Sequence, residues 1–548
     1  MSARGLASTA RRRVRDAAEI APPIGAIDAM ASAARGSPHP RVGRVAALGG
    51  RPAARRALVV VAVVAAALIW TFLLRLPVWR IDGPDDAFYA EVAHLWTRGV
   101  LPYVGAFDVK PPGLFALVAV AQSALGPGLD ALRAVAVLGD GVAAASLFFL
   151  GRRLGSTALG VFAAALYPFL SEVVAGNDAY PPLAALTTLA FLAALSPLPI
   201  LGRAALAGLA IGAAGAVKQT AAFEAAALLA VLLRAPEAAP RRIGVAAAFL
   251  AGAAAAPLGF LLYFAGHDAA GALIADTIVD ALRRPASDGE GLSFVAGLLR
   301  FLPLQRAVMP IFALALLALL RRRALVRAAP GLAFDAAALW FALASLAIVI
   351  ERSIGENYLA PTLAPGLLLA GALVVFAPPA LAGIAPALRL AMAGLAAVAA
   401  ALAIRVGEIR AGEARAPQET RAIAAAAAAI RASEPAPTDR LFVVNRSGWL
   451  YLATGLAPPT AYFFPGHTLC EFPGAGRVRL AEALAARPRY IVVADRRIGG
   501  YCDIAANWLV VADALERSYR RLAHVTGEAD FYDVYEAVGR AGRAADPG

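Results

Sequence analysis

From Ala57 to about Ile404 the chain is a near-continuous succession of Ala-, Leu- and Val-rich runs. Runs of this kind constrain the fold more than any other feature. They belong in a bilayer or in a very large core, and about 20 apolar residues in a helix cross the hydrocarbon. Composition decides between the two. The 548 residues are 60% hydrophobic and 16% charged, with a mean hydropathy of +0.67. Soluble domains are about 45–50% apolar and about 25% charged. An α-helical polytopic membrane protein is expected, and a purely soluble enzyme, a disordered chain and a collagen-like chain are not. Runs near 57–79, 131–150, 157–171, 181–197, 204–216, 220–233, 243–265, 303–320, 332–350, 358–376 and 384–404 predict about eleven transmembrane helices.

Basic residues set the orientation. With the amino terminus inside, the cytoplasmic connections and span ends carry eleven arginines, among them Arg152, Arg153, Arg241, Arg242 and Arg321 to Arg323, against the single acid Glu237. The opposite connections hold 8 basic residues and 14 acids. Residues 113–126 are apolar enough for a further span, but a crossing there would turn the arginine clusters outward. They are therefore expected to form a helix that dips into the outer leaflet without crossing.

Three regions follow. Residues 1–56 hold 11 arginines and three acids and no sustained apolar run, which predicts a disordered basic cytoplasmic arm. Arg11, Arg12 and Arg13 lack a following signal-type apolar core, so no cleaved signal peptide is expected. Residues 57–404 form the membrane domain. Residues 405–548 are expected to form an extracytoplasmic α/β domain. It would have a helical lead over 405–436, strands at Leu441, Tyr490 and Phe531, and helix-like segments near 479–486 and 507–522. Cys470 and Cys502 both fall there, as a disulfide or as two free thiols. The net charge of +13 is concentrated outside the apolar runs, so it does not argue for nucleic acid.

Candidate chemistry gathers on the outward connections. The first reads Asp85-Asp86-Ala-Phe-Tyr, then Asp108-Val-Lys110-Pro-Pro-Gly. Two adjacent acids at a membrane face with aromatic neighbours are costly unless used. Both are candidate catalytic acids, with Asp86 the expected base and Asp85 either catalytic as well or the cap of a helix over 87–98. Of 51 basic residues only Lys110 and Lys218 are lysines. Both fall on the same predicted face. A compact ammonium suits a phosphate oxygen in a tight site better than a wide guanidinium. Asp178, with Glu172 before it, His267, Asp268, and Arg352 with Glu356, Asn357 and Tyr358 reach the same level. Asp140 and Glu224, inside apolar runs, are expected to bond neighbouring helices rather than form a proton path. No Walker loop, dinucleotide fingerprint or zinc spacing competes.

An acidic pair after the first span, a Lys-Pro-Pro about 25 residues later, Arg152-Arg-Leu-Gly155 at a helix end and an outward acid after the third span together resemble the family 39 glycosyltransferases of the membrane-embedded glycosyltransferase C superfamily. This family includes protein O-mannosyltransferases and aminoarabinose transferases of lipid A. Arg352…Asn357-Tyr358…Pro361…Pro365 is similar to the family's Arg…His-Tyr…Pro…Pro element, with Asn357 where many members carry His. The resemblance implies transfer of a sugar from a polyprenyl-phosphate donor to an acceptor hydroxyl of a glycan, lipid or protein. Transfer would occur with inversion on the outer face of the inner (plasma) membrane. It implies Asp86 as general base, Lys110 and Arg352 on the leaving phosphate, Asp178 orienting the acceptor or a cation, and Asn357, Tyr358 and Lys218 at the substrate. No nucleotide is implied, and a divalent cation is left open. The other class of function compatible with these residues is a transporter or flippase of a lipid-linked sugar.

Overall fold

The computed structural model describes residues 51–79, 85–175, 178–283, 308–326, 330–351, 356–376, 420–445, 448–465, 475–494, 504–526 and 531–538, with isolated positions between 386 and 394. The described residues from Val60 onward belong to one compact unit.

The helical part runs α1 (Arg51–Arg75), α2 (Asp86–Thr97), α3 (Pro112–Leu125), α4 (Leu129–Arg153), α5 (Thr157–Ala175), α6 (Tyr180–Ala194), α7 (Ile200–Val217), α8 (Ala221–Arg234), α9 (Arg242–Ala265), α10 (Ala270–Ile274), α11 (Met309–Leu320), α12 (Gly331–Glu351) and α13 (Ala360–Phe376). Ten of the eleven expected spans coincide with helices; the eleventh, 384–404, lies largely outside the described residues. Among the described residues five helices are long and apolar enough to cross a membrane: Ala54–Val78, Leu129–Arg153, Ile200–Val217, Pro236–Ala265 and Gly331–Ile350. At 1.5 Å per residue, α6 with 15 residues and α8 with 14 fall short of a hydrocarbon core about 30 Å thick. α3, with 14 residues, is the helix expected over 113–126.

Small residues let the bundle close. A Cβ built on Gly208 of α7 would lie 2.1 Å from the Phe249 carbonyl of α9, and one on Gly212 would lie 2.2 Å from that of Ala253. Close backbone approach of this kind replaces the hydrophobic drive that lipid does not supply. Phe191 of α6 stacks on Trp340 of α12, centroids 4.1 Å apart, worth about 0.5–1.5 kcal/mol beyond area. Trp340 Nε1 also donates to Glu224 Oε1 at 2.8 Å, the interhelical bond expected of Glu224. From Val60 onward α1 exposes Val60, Val61, Ile69, Trp70, Phe72 and Leu73, as a helix facing lipid would.

The C-terminal part carries a four-stranded sheet in the order β1 (Leu441–Val443), β2 (Tyr490–Val493), β4 (Phe531–Ala537), β3 (Tyr519–Thr526). The β1–β2 pair is parallel and the others antiparallel. Side chains alternate between the two faces of a strand. Phe442, Val444, Ile491 and Val493 pack on Leu480 and Ala483 of α15 (Ala475–Ala485) and on Val511 and Leu515 of α16 (Ile504–Ser518). Leu441, Val443, Tyr490 and Val492 join the core of the helical bundle. α14 (Trp449–Thr454) follows β1. Both faces are covered, which explains unbroken apolar runs such as Tyr490-Ile-Val-Val. Ala424 to Ala429 lie in a helix over 420–432, and 405–419 fall outside the described residues. One boundary is corrected. The helix expected over 507–522 ends at Ser518, and Tyr519 to Leu522 open β3, because pairing with β4 from Tyr519↔Ala537 to Thr526↔Phe531 overrides local helix preference. Cys470 and Cys502 lie outside the described residues.

Candidate active site

The ends of α1, α4 and α5 and the start of α2 meet in an ion lattice. Arg75 of α1 reaches Asp140 Oδ2 (2.9 Å), Asp178 Oδ1 (2.9 Å) and Glu172 Oε2 (3.0 Å). Arg133 of α4 pairs with Asp178 Oδ2 and lies 3.7 Å from Asp86 Oδ2. Ser171 Oγ donates to Asp140 Oδ1 at 2.9 Å, and the Asp178 backbone N–H donates to Asp86 Oδ1 at 3.1 Å. Asp86 and Asp140 are 0% exposed and Asp178 2%. Buried charges need partners of this quality, since an unpaired one costs several kcal/mol.

Above this lattice lies a more open arrangement. Asp85 is half-buried, and its Oδ2 accepts the Tyr89 hydroxyl at 2.8 Å, one helical turn on. Burial, with the carboxylates of Asp85 and Asp108, pushes the Tyr89 phenol well above its ordinary value, so it stays a neutral donor. Lys110 Nζ sits 4.6 Å from the Tyr89 ring centroid and 3.7 Å from Asp108 Oδ1. The loop that presents Lys110 is held from within. Asp108 Oδ1 accepts the Lys110 backbone N–H at 2.9 Å, and the Tyr103 hydroxyl donates to the Lys110 carbonyl at 2.7 Å. Tyr103 itself adopts φ 69°, a strained conformation for a residue with a side chain. Pro112 at the first position of α3 then starts the helix without an orphaned N–H.

Lys218, just past α7, donates to the Tyr180 hydroxyl at 2.8 Å. Its ammonium lies 4.8 Å from the Tyr180 ring centroid and 4.6 Å from that of Tyr358. Gln219 Nε2 donates both to the Val109 carbonyl (2.6 Å) and to the Thr277 carbonyl (2.8 Å). Thr277 belongs to the π-helical turn Ala275–Asp280. One amide thus ties the segment of Lys110 to that of Lys218.

The structure therefore brings together Asp85, Asp86, Lys110, Asp178, Lys218 and Tyr358. It alters the expected division within the acidic pair. Asp85 occupies the N-cap position of α2 but makes no side-chain cap bond, because its carboxylate turns to Tyr89. Asp86 is enclosed by Arg133 and the Asp178 backbone. Asp178, expected to orient acceptor or cation, gives both oxygens to guanidiniums. Asn357 lies in the short helix Glu356–Leu359; its side chain and the whole of Arg352 fall outside the described residues, as does the side chain of Glu356. His267 bonds its own helix at the Tyr263 carbonyl. Among the described residues no group of three or more His, Cys, Asp or Glu is arranged to hold a metal ion. Sequence reasoning passed over Arg75, Arg133, Tyr89, Tyr180 and Gln219. The two arginines carried a readable signal, a charge inside an apolar run; the tyrosines and the glutamine carried none.

No protein-family model matches the chain, and no curated protein matches it in sequence. In solved structures, the crystal structure of ArnT from Cupriavidus metallidurans bound to undecaprenyl phosphate superposes with a TM-score of 0.56 over 88% of this chain and 98% of that one. The chain has the fold of ArnT. Sequence identity to ArnT is 16%, so the likeness is one of fold. The apo state of ArnT gives a TM-score of 0.51 at 18% identity with the same coverage. The likeness covers the helical arrangement as a whole, and it shows a shared fold.

Proposed function

We propose that the chain is a membrane glycosyltransferase that moves a sugar from a polyprenyl-phosphate donor to an acceptor hydroxyl, with inversion at the anomeric carbon. The observation that carries this reading is that Lys110 lies over Tyr89, whose hydroxyl bonds Asp85, while the segment of Lys218, the other lysine of the chain, is tied to that of Lys110 by the Gln219–Val109 hydrogen bond. The ArnT fold, crystallised with undecaprenyl phosphate, supports a lipid-phosphate ligand. The acceptor oxygen attacks the anomeric carbon as the bond from that carbon to the phosphate oxygen breaks. The acceptor proton passes to a carboxylate, and polyprenyl phosphate leaves with its charge met by Lys110 and Lys218. Asp85 fits the proton-accepting role better than Asp86: it is partly open, and a phenol orients it. Asp86, with Arg133 and Asp178, holds the start of α2 in place. Arg352 and Asn357 are assigned to the donor end through the resemblance alone.

The arginine asymmetry supports a topology in which this site and residues 405–548 lie outside the cytoplasm. Alkaline phosphatase fused after residue 548 is expected to be active; activity of a cytoplasmic reporter alone would invert the topology. The chemical test uses the full chain in nanodiscs with a labelled polyprenyl-phosphate sugar and cell-envelope acceptors, followed by mass spectrometry of products. Release of polyprenyl phosphate with sugar joined to an acceptor is expected. Translocation of intact donor without bond cleavage would instead establish a flippase. Assays with and without EDTA test the divalent cation.

A further inference from the structure

The segments that carry Asp85 and Lys110 come from two stretches of the first connection, and a third segment, far along the chain, touches both. Tyr462, Phe463 and Phe464 are consecutive. Phe464 stacks on Phe88 of α2, with centroids 4.2 Å apart and planes at 17°. Tyr462 packs on Phe107 at 5.0 Å, and the Phe107 N–H donates to the Ala461 carbonyl at 2.9 Å. Phe463, 1% exposed, fills the space between them against Phe88 and Tyr451.

The Phe107 end is closed by a cation. The Arg479 guanidinium of α15 lies 4.4 Å from the Phe107 ring centroid and 4.2 Å from that of Tyr462. Its Nη2 is 3.7 Å from Asp280 Oδ2. Planar stacking on rings is what a guanidinium does and an ammonium does poorly. Phe88 lies between Asp86 and Tyr89, and Phe107 directly precedes Asp108-Val-Lys110. Each end of the aromatic triplet therefore grips a residue adjoining one half of the candidate site.

We propose that Tyr462-Phe463-Phe464, locked by Arg479, is a positioning clamp by which the C-terminal sheet region sets the spacing between the Asp85 carboxylate and the Lys110 ammonium. This rests on the transferase reading above. Phe464 acts on the α2 side, where the proton is taken. Tyr462 and Arg479 act on the Lys110 side, where the donor phosphate is held. The two ends thus carry different kinetic consequences, which a merely structural contact would not.

The test uses the full chain in nanodiscs and reads donor binding, kcat and amide hydrogen exchange. Phe464→Leu is expected to lower kcat roughly tenfold with the donor Kd within about twofold, because a displacement of about 1 Å at a reacting group costs up to about a hundredfold. Tyr462→Leu and Arg479→Gln are expected to raise the donor Kd by roughly tenfold, again through a displaced charged contact. Phe464→Tyr and Tyr462→Phe, which keep the rings, should restore near wild-type values. Exchange should quicken at 86–92 in Phe464→Leu and at 105–110 in Arg479→Gln. If the leucine variants fail to fold, Arg479→Gln, which keeps every ring, decides. Values of kcat and Kd that stay at wild type, or a loss of turnover and of donor-binding sites together in proportion to folded protein at unchanged Kd, would overturn the clamp. Should the wild type transfer no sugar, the transferase reading falls and exchange alone decides. Local quickening then upholds the clamp, and unchanged exchange removes it.

Discussion

Two charged clusters lie side by side at the start of α2, built from similar residues in opposite states. In the lattice, Arg75 and Arg133 face Asp86, Asp140, Glu172 and Asp178, guanidinium to carboxylate. In the adjoining site the cations are lysines, and each faces aromatic rings. A bidentate fork inside a dry cluster has its partners already in place and favours a fixed geometry. A compact ammonium over tyrosine rings is held by ring faces, with the Tyr180 hydroxyl for Lys218 and the Asp108 carboxylate for Lys110. The difference separates cations fixed by interlocked carboxylates from cations fixed mainly by aromatic faces.

The largest expected effect sharpens this contrast within one dipeptide. Asp85→Asn should cut sugar transfer by about 10²–10⁴ while leaving the melting temperature near wild type. Asp86→Asn should lower the melting temperature and leave turnover per folded molecule far less affected. The opposite pattern in a paired turnover and melting measurement would return the base to Asp86. Next in size, Arg133→Met removes one guanidinium from the buried carboxylates of Asp86 and Asp178, which keep the Asp178 N–H and Arg75 as partners, a loss of up to about 3–5 kcal/mol. Thermal unfolding of purified protein in detergent reads it, and a melting curve like that of the wild type would mean the lattice is not load-carrying. Smaller again, Lys110→Ala should weaken donor binding by roughly ten- to a hundredfold, the worth of about 1.5–3 kcal/mol of charged hydrogen bond. Lys110→Arg should recover part of it. Donor titration that finds Lys110→Ala unchanged removes the phosphate role.

The smallest effect concerns pH. Glu536 of β4 is held below the ordinary carboxylate range: burial works to raise it, but hydrogen bonds from Arg520 and Arg489 outweigh that. A depressed folded-state value adds stability above the unfolded value of about 4.3 and loses it as pH falls through the folded one. Glu91 of α2 has the reverse sign. Burial raises it well above its ordinary value against the pull of Arg98, so its contribution is present below about 4.3 and lost as pH rises through the raised value. Melting curves from pH 3 to pH 9 should show Glu536→Gln losing less than wild type on acidification and Glu91→Gln losing less on alkalinisation. Parallel curves for variants and wild type would dismiss both.

Much of the membrane architecture was readable because the bilayer enforces one rule, an apolar run long enough to satisfy its own backbone. That rule located α1, α4 and α12 within a few residues. The three apolar strands were equally plain, whereas β3 was not. Tyr519-Arg-Arg-Leu-Ala-His-Val-Thr lacks a sustained apolar run, and its state depends on a partner strand. At the site, the lysines stood out because arginine fills every other basic position. Which of Asp85 and Asp86 would be the buried one could not be read, because adjacent carboxylates differ only in which way the helix turns them. Gln219 was invisible for a related reason. Its importance lies in the two carbonyls it reaches, 110 and 58 residues away.

That amide has a mechanical consequence. Val109 and Thr277 hang from the same nitrogen, and Gln219 is covalently joined to Lys218. The backbone segments that carry Lys110 and Lys218 therefore share one strut, and a shift of the turn at Ala275–Asp280 would bear on both at once. The two segments are coupled as two leaves are by one hinge pin.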